Sequence, residues 1–133
     1  MIHVLVVEDD PYNAILFRKL LEKRGGYQVT VTDSAEELFA LCRAGAVALV
    51  LMDVSLGNTR WQDQPVNGVE LCRILKADPA TALIPVVLAT AHAMRGDAER
   101  LMSESGADDY VAKPVVDHSV FAAQIRALLE KAA

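Results

Sequence analysis

Two short apolar runs that stop at acidic residues constrain the fold of this 133-residue chain more than any other feature. Residues 2–7 are apolar except for His3 and are followed by three acidic residues, and residues 47–52 are followed by Asp53. Runs of this length and composition are typical of strands buried in a parallel sheet. Ligands of open parallel sheets bind just outside the carboxyl ends of the strands. We therefore expect the acidic residues after these two runs to mark a functional site.

Acidic residues that meet at one end of a sheet repel one another. Two carboxylates roughly 5 Å apart in an effective dielectric of about 20 repel by about 3 kcal/mol. If the two runs form neighbouring strands, a divalent cation would relieve the repulsion between Glu8, Asp9 and Asp53.

Composition and charge narrow the possible functions. Hydrophobic residues make up 53% of the chain, enough for one domain over residues 1–133 with a sheet covered on both faces. The net charge of −5 and the lack of a stripe of Lys and Arg argue against direct DNA binding. No segment is long enough to cross a membrane. Cys42 and Cys72 stand far apart within helical patterns, which predicts reduced structural thiols in a cytoplasmic protein.

Strand and helix signals alternate along the whole chain. Apolar or alternating strand patterns lie at residues 2–7, 28–32, 47–52, 85–89 and 109–113. Helical patterns lie between and after them, and we interpret Asp10, followed by a proline, as the cap of the first helix. Five such units predict an α/β fold, a three-layer (βα)5 flavodoxin-like sandwich whose parallel sheet has the order 2-1-3-4-5. This order would bring Glu8, Asp9 and Asp53 together.

Two more strand ends add groups that bind phosphate. Thr90 follows the fourth predicted strand, and Lys113 ends the fifth. A hydroxyl and a compact ammonium are suited to holding phosphate oxygens. Magnesium usually takes one or two carboxylates together with phosphate. The pattern therefore predicts phosphoryl transfer to an aspartate.

Four sequence blocks resemble the signature blocks of response-regulator receiver domains, the CheY-like superfamily. They are residues 6–10 (VVEDD), 51–53 (LMD), 89–91 (ATA) and 112–114 (AKP), in the family's order and across the whole chain. Residues 92–97 are similar to those of single-domain regulators of the cell-cycle and phosphorelay type. The resemblance implies that Asp53 is the phosphoacceptor.

The same resemblance implies the roles of the surrounding residues. Glu8 and Asp9 would bind Mg2+, Asp9 directly, together with Asp53 and the backbone carbonyl of Ser55. Thr90 and Lys113 would contact the phosphoryl group, and Tyr110 would act as a switch that changes rotamer with Thr90. The Lys113–Pro114 peptide bond would be cis. Ser55 and His92 occupy positions that modulate phosphate lifetime in the family, although we expect His92 to be a solvent-facing loop residue.

The function implied is that of a stand-alone phosphoacceptor in a two-component system or phosphorelay. A histidine kinase or a histidine phosphotransfer protein would donate the phosphoryl group. A protein partner would read it at the face of the fourth helix, fifth strand and fifth helix, near Met94, Arg95, Met102 and Tyr110. No enzymatic activity is expected beyond self-directed phosphotransfer and autodephosphorylation.

Two alternative functions remain at this point. The first is an aspartate-nucleophile phosphatase of the haloacid-dehalogenase type, which needs a second acid where this chain has Ser55. The second is a docking module that does not depend on phosphorylation.

The chain departs from the receiver pattern after Asp53. The glycine that matches the start of the third helix is Gly68, fifteen positions later, and the segment from Gly57 to Asn67 contains an apparent insertion. We expect a solvated loop, whose shortening should change stability by less than about 1 kcal/mol. Alternatively, Arg60 and Trp61 contact a partner or shield the phosphate, since Arg and Trp are enriched at binding hot spots. In that case the loop would tune recognition or phosphate lifetime and leave magnesium affinity unchanged.

Overall fold

The structure is a computed structural model that describes residues 1–91 and 95–133, with the backbone alone for Arg95. The expectations placed on His92, Met94 and the side chain of Arg95 therefore lie outside the described residues.

One parallel sheet forms the centre of the molecule. The strands, in chain order, are β1 (His3–Val7), β2 (Gln28–Thr32), β3 (Leu49–Asp53), β4 (Arg60–Trp61), β5 (Gln64–Pro65), β6 (Val86–Thr90) and β7 (Asp109–Ala112). Five of them form the parallel sheet in the order β2-β1-β3-β6-β7, and β4 and β5 form a separate antiparallel hairpin. The five long strands therefore have the predicted order.

Helices cover both faces of this sheet. They are α1 (Pro11–Gly25), α2 (Ala35–Arg43), α3 (Gly68–Ala77), α4 (Arg95–Ser105) and α5 (His118–Ala132). None of the described helices has the length and apolar character needed to cross a bilayer.

Polar caps and a glycine set the helix boundaries. The carboxylate of Asp10 accepts a hydrogen bond from the backbone N–H of Tyr12 at 2.9 Å, which confirms Asp10 as the cap of α1. Gly26, at a φ of 67°, ends the same helix in a left-handed conformation that glycine adopts without steric cost. At the start of α3, Asn67 and Glu70 form a reciprocal capping box.

Alternate residues of β3 belong to two different cores. Val50 and Met52 pack with α2 and α3, whereas Leu49 and Leu51 pack with α1 and α5 on the other face. All five residues of β3 are buried. Burying one such aliphatic side chain contributes about 1.5–3 kcal/mol, so the sheet is held from both sides.

The boundaries of four of the five long strands differ from the predicted ones by one or two residues. β1 begins one residue later, at His3, and β6 is shifted by one residue, to Val86–Thr90. The third long strand begins at Leu49 rather than at residue 47 and runs on to include Asp53, because Leu49 is the first residue paired with β1. The last strand ends at Ala112, although the N–H of Lys113 still donates to the carbonyl of Thr90 at 2.9 Å. The next peptide bond, Lys113–Pro114, is cis, as expected.

The expectation of a solvated loop after Asp53 is wrong. β4 and β5 form a hairpin whose Trp61 packs edge-on against Phe39 of α2, with the ring centroids 4.5 Å apart. Leu56 and Val66, which flank the hairpin in sequence, are buried in the core between the sheet and α2 and α3. The segment has too few apolar residues to form a periodic pattern, so its packing could not be recognised from the sequence.

The two cysteines lie in the same core. Cys42 and Cys72 are buried free thiols, and burial raises the pKa of each thiol to about 11. They are structural residues, as predicted.

Candidate functional site

Three carboxylates meet at the carboxyl end of the central strands. Glu8 and Asp9 follow β1 directly, and Asp53 is the last residue of β3. Because β1 and β3 are adjacent, with Val7 opposite Met52, one carboxylate oxygen from each of the three acidic residues lies within 4.8 Å of the other two. Glu8 and Asp53 are buried, and Asp9 is half-buried. The structure thus brings these residues together as the sequence predicted.

Lys113 places an ammonium group between two of these carboxylates. Its Nζ donates to Oδ1 of Asp53 at 2.7 Å and to Oε1 of Glu8 at 3.3 Å. The lysine side chain is only 13% exposed, so water screens these contacts weakly. The backbone N–H of Lys113 donates a hydrogen bond to the carbonyl of Thr90 in β6. This bond fixes the backbone of Lys113, whose side chain extends to Asp53 in β3. The result is a partly buried ion pair that offsets part of the negative charge.

Burial and crowding perturb the protonation of Glu8. Burial, followed by the hydrogen bond and the charge of Asp53, raises the pKa of Glu8 to about 7, although Lys113 opposes the shift. For Lys113, burial alone would lower the pKa, but the hydrogen bond and charge of Asp53 together with Glu8 outweigh it, so its pKa is raised. Near neutral pH, Lys113 is therefore charged while Glu8 is divided between its two forms.

Asp9 and Asp10 are consecutive in sequence but have different surroundings. The carboxylate of Asp9 accepts a hydrogen bond from the backbone N–H of Gly57 at 2.7 Å. The carboxylate of Asp10 turns to α1, where it accepts hydrogen bonds from Tyr12 and Asn13. Only Asp9 joins the acidic group.

The backbone after Asp53 stays close to the site. The N–H of Ser55 donates to Oδ1 of Asp53 at 3.3 Å, while its side chain is exposed. The N–H of Gly68 donates to the carbonyl of Val54 at 3.0 Å. A β-carbon at Gly68 would overlap the carbonyl oxygen of Asp53, so only glycine allows α3 to begin here. The metal-binding role of the Ser55 carbonyl stays a prediction.

Thr90 and Tyr110 lie on the same face of the sheet. Thr90, at the end of β6, is 2% exposed, and it is two residues beyond Leu88, the partner of Tyr110 in β7. Residues two apart in a strand share a face, so both side chains lie on the side of the core packed by α3. This placement is compatible with the predicted switch pair.

The acidic residues fit a small divalent cation. Glu8, Asp9 and Asp53 each offer a carboxylate oxygen, the donor type that magnesium prefers. The ammonium group of Lys113 supplies a single positive charge against these three carboxylic acids. A cation held by these oxygens would offset more of the negative charge.

Two functional positions were missed by sequence reasoning. Gly57 supplies the N–H that holds Asp9, and Gly68 permits the close approach of α3 to Asp53. The sequence pattern marks Gly68 only as the beginning of a helix, and Gly57 only as part of an insertion. No pattern in the sequence predicts either contact. Gly57 and Asp9 are far apart along the chain, and the group that Gly68 approaches is a backbone carbonyl, which every residue has.

Comparison with known proteins finds a family model that covers most of the chain. The sequence model of the family described as response regulator receiver domain matches residues 4–131. The polar-differentiation response regulator DivK of Brucella ovis is 38% identical over 112 residues, which cover 84% of each chain.

Solved structures show the same similarity. The signal receiver domain of a histidine kinase from Syntrophus aciditrophicus has a TM-score of 0.80 and 30% identity, covering 98% of this chain and 92% of that one. The receiver domain of a sensor histidine kinase from Pseudomonas aeruginosa, solved with magnesium coordinated in its active-site cleft, has a TM-score of 0.73 and 26% identity. That match covers 97% of this chain and 94% of the other.

Proposed function

This chain belongs to the response regulator receiver domain family, and we propose that it accepts a phosphoryl group on Asp53 from a phosphohistidine donor. The observation that carries the proposal is the placement of Lys113, 2.7 Å from a buried aspartate that is grouped with two other acids. An aspartate in such a group can be a nucleophile only if positive charge offsets the repulsion with the incoming phosphoryl oxygens.

The transfer is a displacement at phosphorus. A carboxylate oxygen of Asp53 forms a bond to phosphorus as the bond between phosphorus and the donor imidazole nitrogen breaks. The electron pair of the broken bond stays on that nitrogen, and a donor ring that carries a proton on its other nitrogen leaves as neutral imidazole. Lys113 stabilises the negative charge on the phosphoryl oxygens, and the Thr90 hydroxyl donates a hydrogen bond to one of them.

The acidic group binds magnesium in this proposal. Glu8, Asp9 and Asp53, with the backbone carbonyl of Ser55, would hold the ion, which supplies positive charge to the phosphoryl oxygens when bound. The magnesium in the Pseudomonas aeruginosa receiver domain supports this assignment by similarity.

Receiver domains interact with histidine kinases or phosphotransfer proteins, and we propose a protein of this kind as the donor here. The chain would act as a single phosphoacceptor domain that does not turn over a separate substrate.

The signal of this domain would be read by a protein partner at the face formed by α4, β7 and α5. On this face Met102 and Tyr110 are half-buried, and Gln124 of α5 donates to the carbonyl of Tyr110 at 2.8 Å. Movement of Thr90 toward the phosphoryl group would leave space on that side of the sheet for Tyr110.

Intact-protein mass spectrometry tests the assignment of Asp53. Wild type, Asp53→Asn and the control Asp33→Asn are incubated with acetyl phosphate and magnesium. Asp33 follows β2 at the same end of the sheet but is exposed and outside the acidic group. Wild type and Asp33→Asn should gain the mass of one phosphoryl group, and Asp53→Asn should not. Equal uptake by Asp53→Asn and wild type would reject the proposal.

A further inference from the structure

The inserted segment touches the acidic group directly at Gly57. Its backbone N–H donates to Oδ2 of Asp9 at 2.7 Å, although the two residues are 48 positions apart. A hydrogen bond to a charged acceptor is about twice as strong as a neutral one. A carboxylate can accept this bond at one oxygen and still bind a cation through the other. The contact therefore orients Asp9 without preventing metal binding.

The backbone on both sides of Gly57 is held in place. On one side, Leu56 is 7% exposed and packs in the core. On the other side, the hydroxyl of Thr59 donates to the carbonyl of Asp33 at 2.8 Å, and its own carbonyl accepts from the N–H of Val66 at 3.1 Å. Only two residues, Gly57 and Asn58, lie between these anchored positions. The position of the Gly57 amide thus depends on the base of the hairpin.

Trp61 anchors the hairpin to the body of the domain. Its ring packs edge-on against Phe39, which is 2% exposed and has the guanidinium of Arg43 5.6 Å from its ring centroid. The turn between β4 and β5 consists of Gln62 and Asp63, both with positive φ, as type I′ hairpin turns require. Since neither turn residue is glycine, this backbone costs free energy that the packing of Trp61 must offset.

We propose that the hairpin of residues 60–65 holds the Asp9 carboxylate in position for magnesium, with Trp61 as the anchor and the Gly57 amide as the group in contact. This proposal rests on the proposed function, because it assigns the hairpin a role at the same metal site. It also reverses the expectation that the loop leaves magnesium affinity unchanged. Hydrogen-bond partners of a metal-ligating side chain typically change metal affinity by about 10–100-fold when they are removed. Gly57 and Trp61 are positioning residues, since they act through Asp9.

Titration of the unphosphorylated protein with magnesium, monitored by amide NMR shifts, distinguishes a role of the hairpin at the metal site from an effect on overall stability. Gly57→Pro deletes the N–H, whereas Gly57→Ala keeps it, and a β-carbon at this position would lie 3.4 Å from Oδ2 of Asp9, an ordinary contact. Trp61→Ala removes the anchor, and Trp61→Phe keeps an aromatic ring against Phe39. Leu128→Ala is the matched control, because Leu128 is half-buried in the core on the opposite face of the sheet.

We expect affinity for magnesium to fall about tenfold in Gly57→Pro and about threefold in Trp61→Ala. Gly57→Ala, Trp61→Phe and Leu128→Ala should remain within about twofold of wild type. Wild-type affinity in a folded Gly57→Pro or in Trp61→Ala would overturn the proposal. If Gly57→Pro does not fold, the loss in Trp61→Ala and its recovery in Trp61→Phe decide the question.

The outcome for wild type distinguishes this inference from the proposed function. If wild type shows no magnesium-dependent shifts at Glu8, Asp9 or Asp53, the proposed metal site and this inference fail together. If wild type binds magnesium and the variants bind equally well, only the role of the hairpin is rejected.

Discussion

The ammonium nitrogen of Lys113 lies 2.7 Å from Oδ1 of Asp53, joining the end of β7 to the end of β3 across the intervening strand β6. The side chain of Asp53 is buried, at 3% exposure, and that of Lys113 is mostly buried, at 13% exposure. The pair therefore stabilises the domain only as long as both charges are present, because removing one partner leaves the other charge buried and unpaired.

Replacing Lys113 with methionine should destabilise the protein in a pH-dependent way. At pH 8, Lys113→Met should lower the free energy of unfolding by about 3 kcal/mol, since Glu8 and Asp53 lose their counter-charge. At pH 5 the loss should be smaller, because Glu8 takes up a proton. Urea unfolding at both pH values measures the difference, with the exposed Lys131→Met as the control. An equal loss at pH 5 and pH 8 would contradict the role of Glu8.

Glu8 should make the wild-type protein less stable as pH rises toward neutrality. The pKa of Glu8 is raised from 4.5 to about 7, so the folded state keeps a proton that the unfolded chain has already released between these values. The contribution of Glu8 to stability is thus fully present below about pH 4.5 and is lost as pH rises through about 7. Relative to Glu8→Gln, wild type should lose about 1–3 kcal/mol between pH 5 and pH 8 without magnesium. If the free energy of unfolding changes by the same amount in both proteins between pH 5 and pH 8, this prediction is wrong.

Asp9 and Asp10 should have separable effects. Asp9→Asn should abolish most magnesium binding, because Asp9 belongs to the acidic group. Asp10→Ala should leave magnesium affinity near that of wild type but lower the free energy of unfolding by about 1 kcal/mol through loss of the α1 cap. Magnesium titration by NMR and urea unfolding of both variants give the two quantities. The assignment is wrong if Asp10→Ala is the variant that loses the metal.

Trp61 should contribute to stability as well as to the site. Trp61→Ala should lower the free energy of unfolding by about 2 kcal/mol, because a half-buried indole and its contact with Phe39 are lost. Removing the hairpin should cost at least as much, contrary to the value below about 1 kcal/mol expected for a solvated loop. Thermal or urea unfolding measures both, and Trp61→Phe should recover part of the loss. If Trp61→Ala has the same unfolding midpoint as wild type, the segment behaves as a solvated insertion and this prediction is wrong.

The parallel sheet, its strand order and the meeting of three acids at one edge can be predicted from the amino-acid sequence. These features depend on patterns that are local or follow from general rules of topology. Apolar runs of five or six residues predict buried strands, and repeated strand–helix units permit few arrangements. Once β1 and β3 are neighbours, Glu8 and Asp53 must lie close together. The role of Asp10 was also predictable, since a helix cap depends on residues adjacent in sequence.

The contacts that support the site cannot be predicted from the sequence and are seen in the folded protein. The hydrogen bond from Gly57 to Asp9, the packing of Trp61 on Phe39 and the contact of Gly68 with the carbonyl of Asp53 each join segments that are not adjacent in sequence. None of them produces a periodic pattern, because each depends on a single side chain or a single backbone group. Such contacts arise only when the sheet and helices have brought the partners within a few ångströms, and for that reason the hairpin appeared in the sequence as a loop.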